Sequence, residues 1–214
     1  MRSYDQYCGL ARALDVVGDR WTLLIVRELL IGGACRYTDL QHGLPGIATN
    51  LLADRLRQLE EQGIVAREAA PPPVATTLFR LTPRGEELRP VVRALGQWGA
   101  PLLEELPDDA VFRSHWLLLP LQFHLADHAP ERPPVTVEVR TGEEPLTIET
   151  VDGDVRIRTG AAAAPDVTIS GEPPVVAGLL FGKLDLDTAI DRGITVDGDP
   201  AILLRLQPNA APVS

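Results

Sequence analysis

Residues 36–67, RYTDLQHGLPGIATNLLADRLRQLEEQGIVAR, spell a short helix, a turn marked by glycine and proline, and a second, amphipathic helix, in that order. In the second helix Leu52, Leu56 and Leu59 share one stripe, while Asn50, Asp54, Arg57 and Glu61 fall on the opposite side. One face packs and the other stays in water. Gly43, Pro45 and Gly46 punctuate the join. Two helices crossing at a wide angle through such a turn make a helix-turn-helix, which offers the N-terminal end of its second helix to a DNA major groove.

The flanks extend this unit. Cys8 to Val17 reads as a first helix, broken at Gly18 and Asp19, and WTLLIVRELLIGG as a second with Trp21, Leu24, Ile25 and Leu29 as its core stripe. Arg36 to His42 is the third helix and Ala48 to Gln62 the fourth, with Gly63 as its C-terminal cap. Ile64–Glu68 and Thr77–Leu81 alternate around AAPPPVA as a β-hairpin wing, its three prolines stiffening the tip as polyproline II. Thr82 as N-cap and Pro83 at the first helical position start PRGEELRPVVRALGQWG, with a kink expected at Pro90. Leu88, Val91, Val92, Leu95 and Trp98 give that helix a broad apolar face, which a homodimer would bury.

Charge divides the 214 residues in two. Residues 1–106 hold 12 Arg and 13 Asp/Glu, whereas residues 107–214 hold 8 Lys/Arg and 17 Asp/Glu. An acidic chain disfavours nonspecific attachment to a polyanion, so DNA contact must come from arginines gathered on one face of the near-neutral first half. Two cysteines, Cys8 and Cys35, are too few for a disulfide framework and lack the partners of a zinc ribbon, so a reducing cytoplasm is the expected setting. No secretory signal precedes the first helix, and apolar runs such as WLLLPLQF fall far short of a membrane span.

The second half, expected after the linker-like APLLEELPDD, opens with a helix over about Val111 to Asp127 and the proline-rich HAPERPP. Period-2 runs VTVEVR, LTIETV and VRIRTG follow, the last two joined at Asp152-Gly153-Asp154, with APDVTISG as a fourth strand. PPVVAGLLFG, DLDTAIDRG and DPAILLRLQ read as short helices, with the run ITV before the last, and NAAPVS as a frayed tail. The two VDGD copies, at 151 and 196, are not a repeat: the first sits in a hairpin and the second leads into a helix.

The segments CGLARALDVVGDRWTLLIVRELLIGGACRYTDL, GIATNLLADRLRQLEEQGIVAR and LFRLTPRGEEL together resemble the HxlR family of bacterial transcriptional regulators over roughly residues 8–106. That resemblance implies a winged helix-turn-helix homodimer on a palindromic operator in double-stranded DNA, with terminal helices making the dimer contacts. Residues 131–208 are similar to the sterol-carrier-protein-2-like fold through DVTISGEPPVVAGLLFGKLDLDTAIDRGITVDGDPAILLRL. This implies a sheet covered by helices around an apolar tunnel for a hydrophobic small-molecule effector. The expected class is α+β, with residues 1–106 a DNA-binding and dimerisation domain and 107–214 a ligand-binding one.

Candidate DNA contacts follow. Thr49 and Asn50 open the recognition helix, where Asn can bridge adenine N6 and N7, and Asp54 can accept from cytosine N4. Arg57 is the first choice for phosphate or guanine. Arg36, with Thr38 in the same helix, and Arg55 are further contacts, although either arginine could instead brace a carboxylate such as Glu60 or Asp39. The wing tip holds no Arg or Lys, which leaves Arg67 and Arg80 at its base, with surface ion pairing an equal account of both.

Phe112, Trp116, Leu119 and Phe123 recur at helical spacing, and Leu180 and Phe181 follow on a later helix, as a tunnel lining would; an ordinary core gives the same stripe. Pro120 within the stripe is expected to kink its helix and open a seat for a ligand. Cys8 matches a position where some HxlR relatives carry a redox-sensing thiol, and a small buried hydrophobe is its plainer role. His124 and His128 have zinc-compatible spacing but no evident further ligands, so no metal is expected. Phosphate loops, nucleophile elbows and dinucleotide fingerprints are missing, so neither a cofactor nor an enzymatic reaction is expected. Two other readings stay open: a thiol-based redox regulator acting through Cys8, and a hydrophobic-ligand carrier whose first half is only a scaffold.

Overall fold

The computed structural model describes residues 3–70, 76–105 and 110–208, so the proline-rich wing tip, part of the linker-like segment and the tail lie outside the described residues. The chain divides into two compact units, Met1–Leu106 and Pro107–Ser214. Helix and sheet are mixed in both, as an α+β class requires.

In the first unit α1 (Gly9–Val17) and α2 (Thr22–Gly32) precede β1 (Cys35–Arg36), α3 (Tyr37–Gly43) and α4 (Thr49–Glu61). The hairpin β2 (Val65–Ala69) and β3 (Thr77–Leu81) comes next, then α5 (Pro83–Glu86) and α6 (Arg89–Gly99). Ile25, Val26 and Leu29 of α2 meet Leu40, Leu44, Leu52, Leu56 and Leu59 in a core whose members are at most 2% exposed. Burying each such side chain contributes about 1.5–3 kcal/mol, so the leucine stripe of α4 holds the helix in place.

Several expectations shift. Trp21 and Leu24 are only half-buried, and Val26 and Leu30 take their share of the α2 core. The third helix starts one residue late, because Arg36 is its extended N-cap and the Asp39 carboxylate accepts from Arg36 N–H at 2.9 Å. β1 joins the wing as a third strand, pairing antiparallel with β3 at Cys35–Phe79 and Arg36–Leu78. The helix expected from Pro83 is two, parted at Glu87 and Leu88. Pro90 explains the break: it has no N–H for the carbonyl four residues back, and it is tolerated in the first turn of α6. Thr82 caps α5 as expected, its Oγ1 accepting from Gly85 N–H at 3.1 Å.

The second unit is built on a five-stranded sheet of order β7-β6-β5-β8-β9, from β5 (Thr136–Arg140), β6 (Leu146–Val151), β7 (Asp154–Thr159), β8 (Val167–Ser170) and β9 (Thr195–Gly198). One strand more than expected is present, because the ITV run pairs with β8. Asp152 and Gly153 form the two-residue β6–β7 turn, both with positive φ (54° and 85°), the type I′ geometry that matches strand twist. Val137, Val139, Leu146, Ile148, Val167 and Ile169 are at most 1% exposed and form the sheet's contribution to the core. Helices α7 (Leu118–His124), α8 (Pro173–Leu180), α9 (Leu186–Asp191) and α10 (Ala201–Arg205) add Leu121, Val176, Ala189 and Leu203. Glu138, only 1% exposed, accepts from Arg140 Nε and from Ala162 N–H, which ties the β7–β8 connection to β5.

The single helix expected over 111–127 is instead a 3-10 turn at Ser114–Leu117, then α7, then β4 (Leu125–Asp127). β4 pairs with β10 (Leu206–Pro208), which takes the end of the helix expected at DPAILLRLQ. Pro120 sits in the first turn of α7, where its missing N–H has no intrahelical partner to lose. Asp127 and Arg205 close this small sheet with a bidentate pair at 2.6 and 2.7 Å, their side chains 0% and 8% exposed. Arg205 also donates to Pro133 C=O at 2.7 Å, pinning the proline-rich loop. No helix among the described residues is long and apolar enough to cross a membrane.

Candidate nucleic-acid interface

The recognition face is held from both ends of the helix pair. Gly43 closes α3 against the buried Glu28 of α2, leaving no room for a side chain: a Cβ there would lie 2.0 Å from Glu28 Oε2. From the first turn of α3, Tyr37 O–H donates to Thr49 C=O at 2.5 Å, and one turn on Gln41 Nε2 donates to Thr49 Oγ1 at 3.0 Å. These two side chains fix the start of α4. Asp19 holds α4 further along: it accepts from Trp21 N–H at 2.8 Å and from the Thr22 hydroxyl at the start of α2, and lies 3.3 Å from Arg55 Nε. That last contact is an ion pair by distance without hydrogen-bond alignment, since Arg55 Nε has no hydrogen-bond partner.

Thr49, Asn50, Asp54 and Arg57 are all exposed on α4. Asn50 Oδ1 accepts from Leu51 N–H at 3.0 Å. Asp54 and Arg57 pair at 3.1 Å with both side chains more than half exposed, so a phosphate can take the place of Asp54 beside Arg57 at little cost. Arg55 braces the fold as the alternative anticipated, but through Asp19 rather than Glu60 or Asp39, and its Nη1 also holds Gln58 at 2.5 Å. Arg67 takes Glu60 at 2.7 Å and lies over the Phe79 ring at 5.4 Å, while Arg80 takes Glu68 at 2.9 Å. Arg36 and Thr38 are exposed at the start of α3.

Tyr37, Gln41 and Asp19 were not picked out from the sequence. An Asp just before an apolar-periodic run is an N-cap signal that could have found Asp19. The i, i+4 spacing of Tyr37 and Gln41 places them on one face of α3, but which partner that face meets is a tertiary matter.

Cys8 is exposed at the N-cap of α1 and is not buried within its own chain. Cys35 is buried, and burial foremost, with the charges of Asp39 and Glu28, pushes its thiol up to about 11. It is a thiol, not a thiolate, at neutral pH.

In the second unit Leu119 and Leu180 are buried and Phe112, Trp116, Phe123 and Phe181 half-buried. The helical stripe does not form as read, because Phe112 precedes the 3-10 turn and packs by Gly142, and Trp116 lies in the turn itself. Phe181 meets the His124 ring edge-on at 5.4 Å. Two surface concavities of about 460 and 390 Å³ are lined by Gln122, Leu125 and the β6–β7 turn, and by Glu138, Arg140 and the loop after β5. None of the six candidate ligand residues lines either. Among the described residues no cluster of three or more His, Cys, Asp or Glu side chains could hold a metal.

Residues 16–107 match the family model for HxlR-like helix-turn-helix proteins and residues 132–210 that of the SCP-2 sterol transfer family. An HTH-type transcriptional regulator of Synechocystis sp. is 37% identical over 46% of this chain and 72% of its own length. The HTH-type transcriptional regulator YodB of Bacillus subtilis is 31% identical over 46% of this chain and 86% of its own. The solved reduced form of YodB is 28% identical and superposes over 48% of this chain and 100% of that one, with a TM-score of 0.41. With its helix pair, its wing and the spacing of both, the chain belongs to the HxlR family of DNA-binding helix-turn-helix transcriptional regulators, and an SCP-2-type domain follows in the same chain.

Proposed function

We propose that the protein is a homodimeric repressor that binds a two-fold operator through α4, and that a hydrophobic small molecule held by residues 107–214 adjusts that affinity. The observation that carries the DNA reading is α4 itself: three buried leucines anchor it, and Thr49, Asn50, Asp54 and Arg57 stand exposed along its free side. Thr49 and Asn50 face base edges, Arg57 takes a phosphate or guanine once released from Asp54, and Arg36 and Thr38 approach the backbone from α3. Arg55 acts as a brace, and Arg67 and Arg80 reach phosphate only by leaving Glu60 and Glu68. The match of residues 132–210 to a sterol transfer family supports a hydrophobic effector, with Phe112, Trp116, Leu119, Phe123, Leu180 and Phe181 as its apolar contacts.

The test is fluorescence anisotropy with the intergenic duplex upstream of the gene against a random duplex of equal length. Preferential binding is expected, with a salt slope that falls by about 0.9 when Arg57→Ala removes one phosphate contact. Equal affinity for both duplexes would leave a ligand carrier with a scaffold domain as the better reading.

A second reading, thiol-based regulation, is favoured by the exposure of Cys8 at the start of α1. In the same assay, oxidant should weaken binding by the wild type and leave Cys8→Ser untouched; an equal response from both removes this reading.

A further inference from the structure

The two residues that open the recognition helix have their acceptor oxygens engaged inside the protein. Asn50 Oδ1 accepts from Leu51 N–H, which leaves the two Nδ2 protons as the donors this side chain can offer. Thr49 Oγ1 accepts from Gln41 Nε2, which leaves the hydroxyl proton to be given away. Tyr37 O–H on Thr49 C=O fixes the backbone beneath that hydroxyl. Both residues are exposed, so α4 opens with an edge that offers donors.

Base edges in the major groove differ in what they can take from such an edge. Guanine shows two adjacent acceptors, N7 and O6; adenine sets a donor beside its acceptor, cytosine shows a donor, and thymine one acceptor next to a methyl group. The adenine bridge that asparagine can form needs Oδ1 as an acceptor for adenine N6–H, and here one of the two lone pairs of Oδ1 is already given to Leu51 N–H, which disfavours that bridge.

We propose that Thr49 and Asn50 select guanine in each operator half-site, through its N7 and O6, and that Gln41 and Tyr37 are positioning residues that set this preference from α3. The inference rests on α4 being the helix that contacts DNA. Gln41 acts by polarity as well as by place: a donor at that position makes Thr49 a donor toward the groove, and an acceptor there would draw the hydroxyl proton inward.

Selection from a random duplex library with the full-length protein tests this, using wild type, Asn50→Asp and Gln41→Glu. Each variant is near-isosteric, and each swaps a donor for an acceptor. The wild type should enrich a half-site position as guanine, and both variants should lose that preference, with affinity for the wild-type operator reduced at least about fivefold. Replacing guanines of the selected half-site one at a time by 7-deazaguanine should weaken the wild type at that position, whereas inosine, which keeps N7 and O6, should bind as guanine does. Adenine at the variant-sensitive position overturns the proposal, as does an unchanged selection by both variants or indifference to 7-deazaguanine. If circular dichroism shows a variant unfolded, the 7-deazaguanine arm decides on the wild type alone. Should the wild type select no sequence at all, the reading of α4 as a DNA-contacting helix fails first, an outcome distinct from the selection of a base other than guanine.

Discussion

Asp127 and Arg205 show how much one pair of residues can organise in the second unit. Their side chains are almost wholly shielded from water, and Arg205 reaches two backbone carbonyls of the proline-rich loop besides Asp127. The hydrogen bonds from Arg205 hold the Asp127 carboxyl below the usual carboxylate range, against the opposing effect of burial. A folded pKa below the unfolded one, about 3.9, means that the pair's contribution is complete above that pH and is lost as pH falls through the folded value. Breaking such a pair from one side leaves a buried charge uncompensated. Arg205→Met should therefore speed hydrogen exchange across β4 and β10 in the full-length protein at pH 7. It should also reverse the sign of the pH effect on the protection factor, taken relative to the intrinsic exchange rate at each pH, so that mild acid restores protection by neutralising the stranded Asp127. Unchanged protection at pH 7 would show the pair to be incidental.

Among the described α-helices, α6 stands apart because none of its residues is buried. Val91, Leu95 and Trp98 are 46, 50 and 74% exposed, and Leu10 and Leu14 of α1 are exposed as well. Apolar faces of this kind on terminal helices are what a homodimer would cover. Leu95→Glu should convert a dimer to a monomer in light scattering, with the helical circular dichroism signal of the wild type retained, because Leu95 is half exposed within its own chain. A variant that stays dimeric would place the interface elsewhere. Elements also mark where local patterns lose their hold. The α4 leucine stripe and the β6–β7 turn were readable residue by residue, since each depends on neighbours a few positions away. β4 and β10 were not, because each reads as the end of a helix and becomes a strand only by meeting the other.

For the whole molecule, the proposed regulation requires the effector and the operator to bias the same equilibrium. Only differential affinity for two dimer states can do that, and a coupling of about 1–3 kcal/mol gives a 5- to 150-fold change in operator affinity. Binding of a pyrene-labelled fatty acid should thus weaken operator binding by a factor in that range; tight binding of the probe with operator affinity unchanged would separate the two functions. The division into an almost neutral and a strongly acidic half was visible in composition alone. The helix-turn-helix, the wing strands and most of the second unit's sheet were visible in residue order, because they rest on periodicity, capping and turn chemistry, which act over a few residues. Tertiary structure alone decided that Asp19 occupies Arg55, that Glu60 and Glu68 hold Arg67 and Arg80, and that Tyr37 and Gln41 lock Thr49. A charge or an amide in a sequence carries its capacity for partners but not their identity, because the partner is supplied by whichever distant segment the packed core brings within about 3 Å.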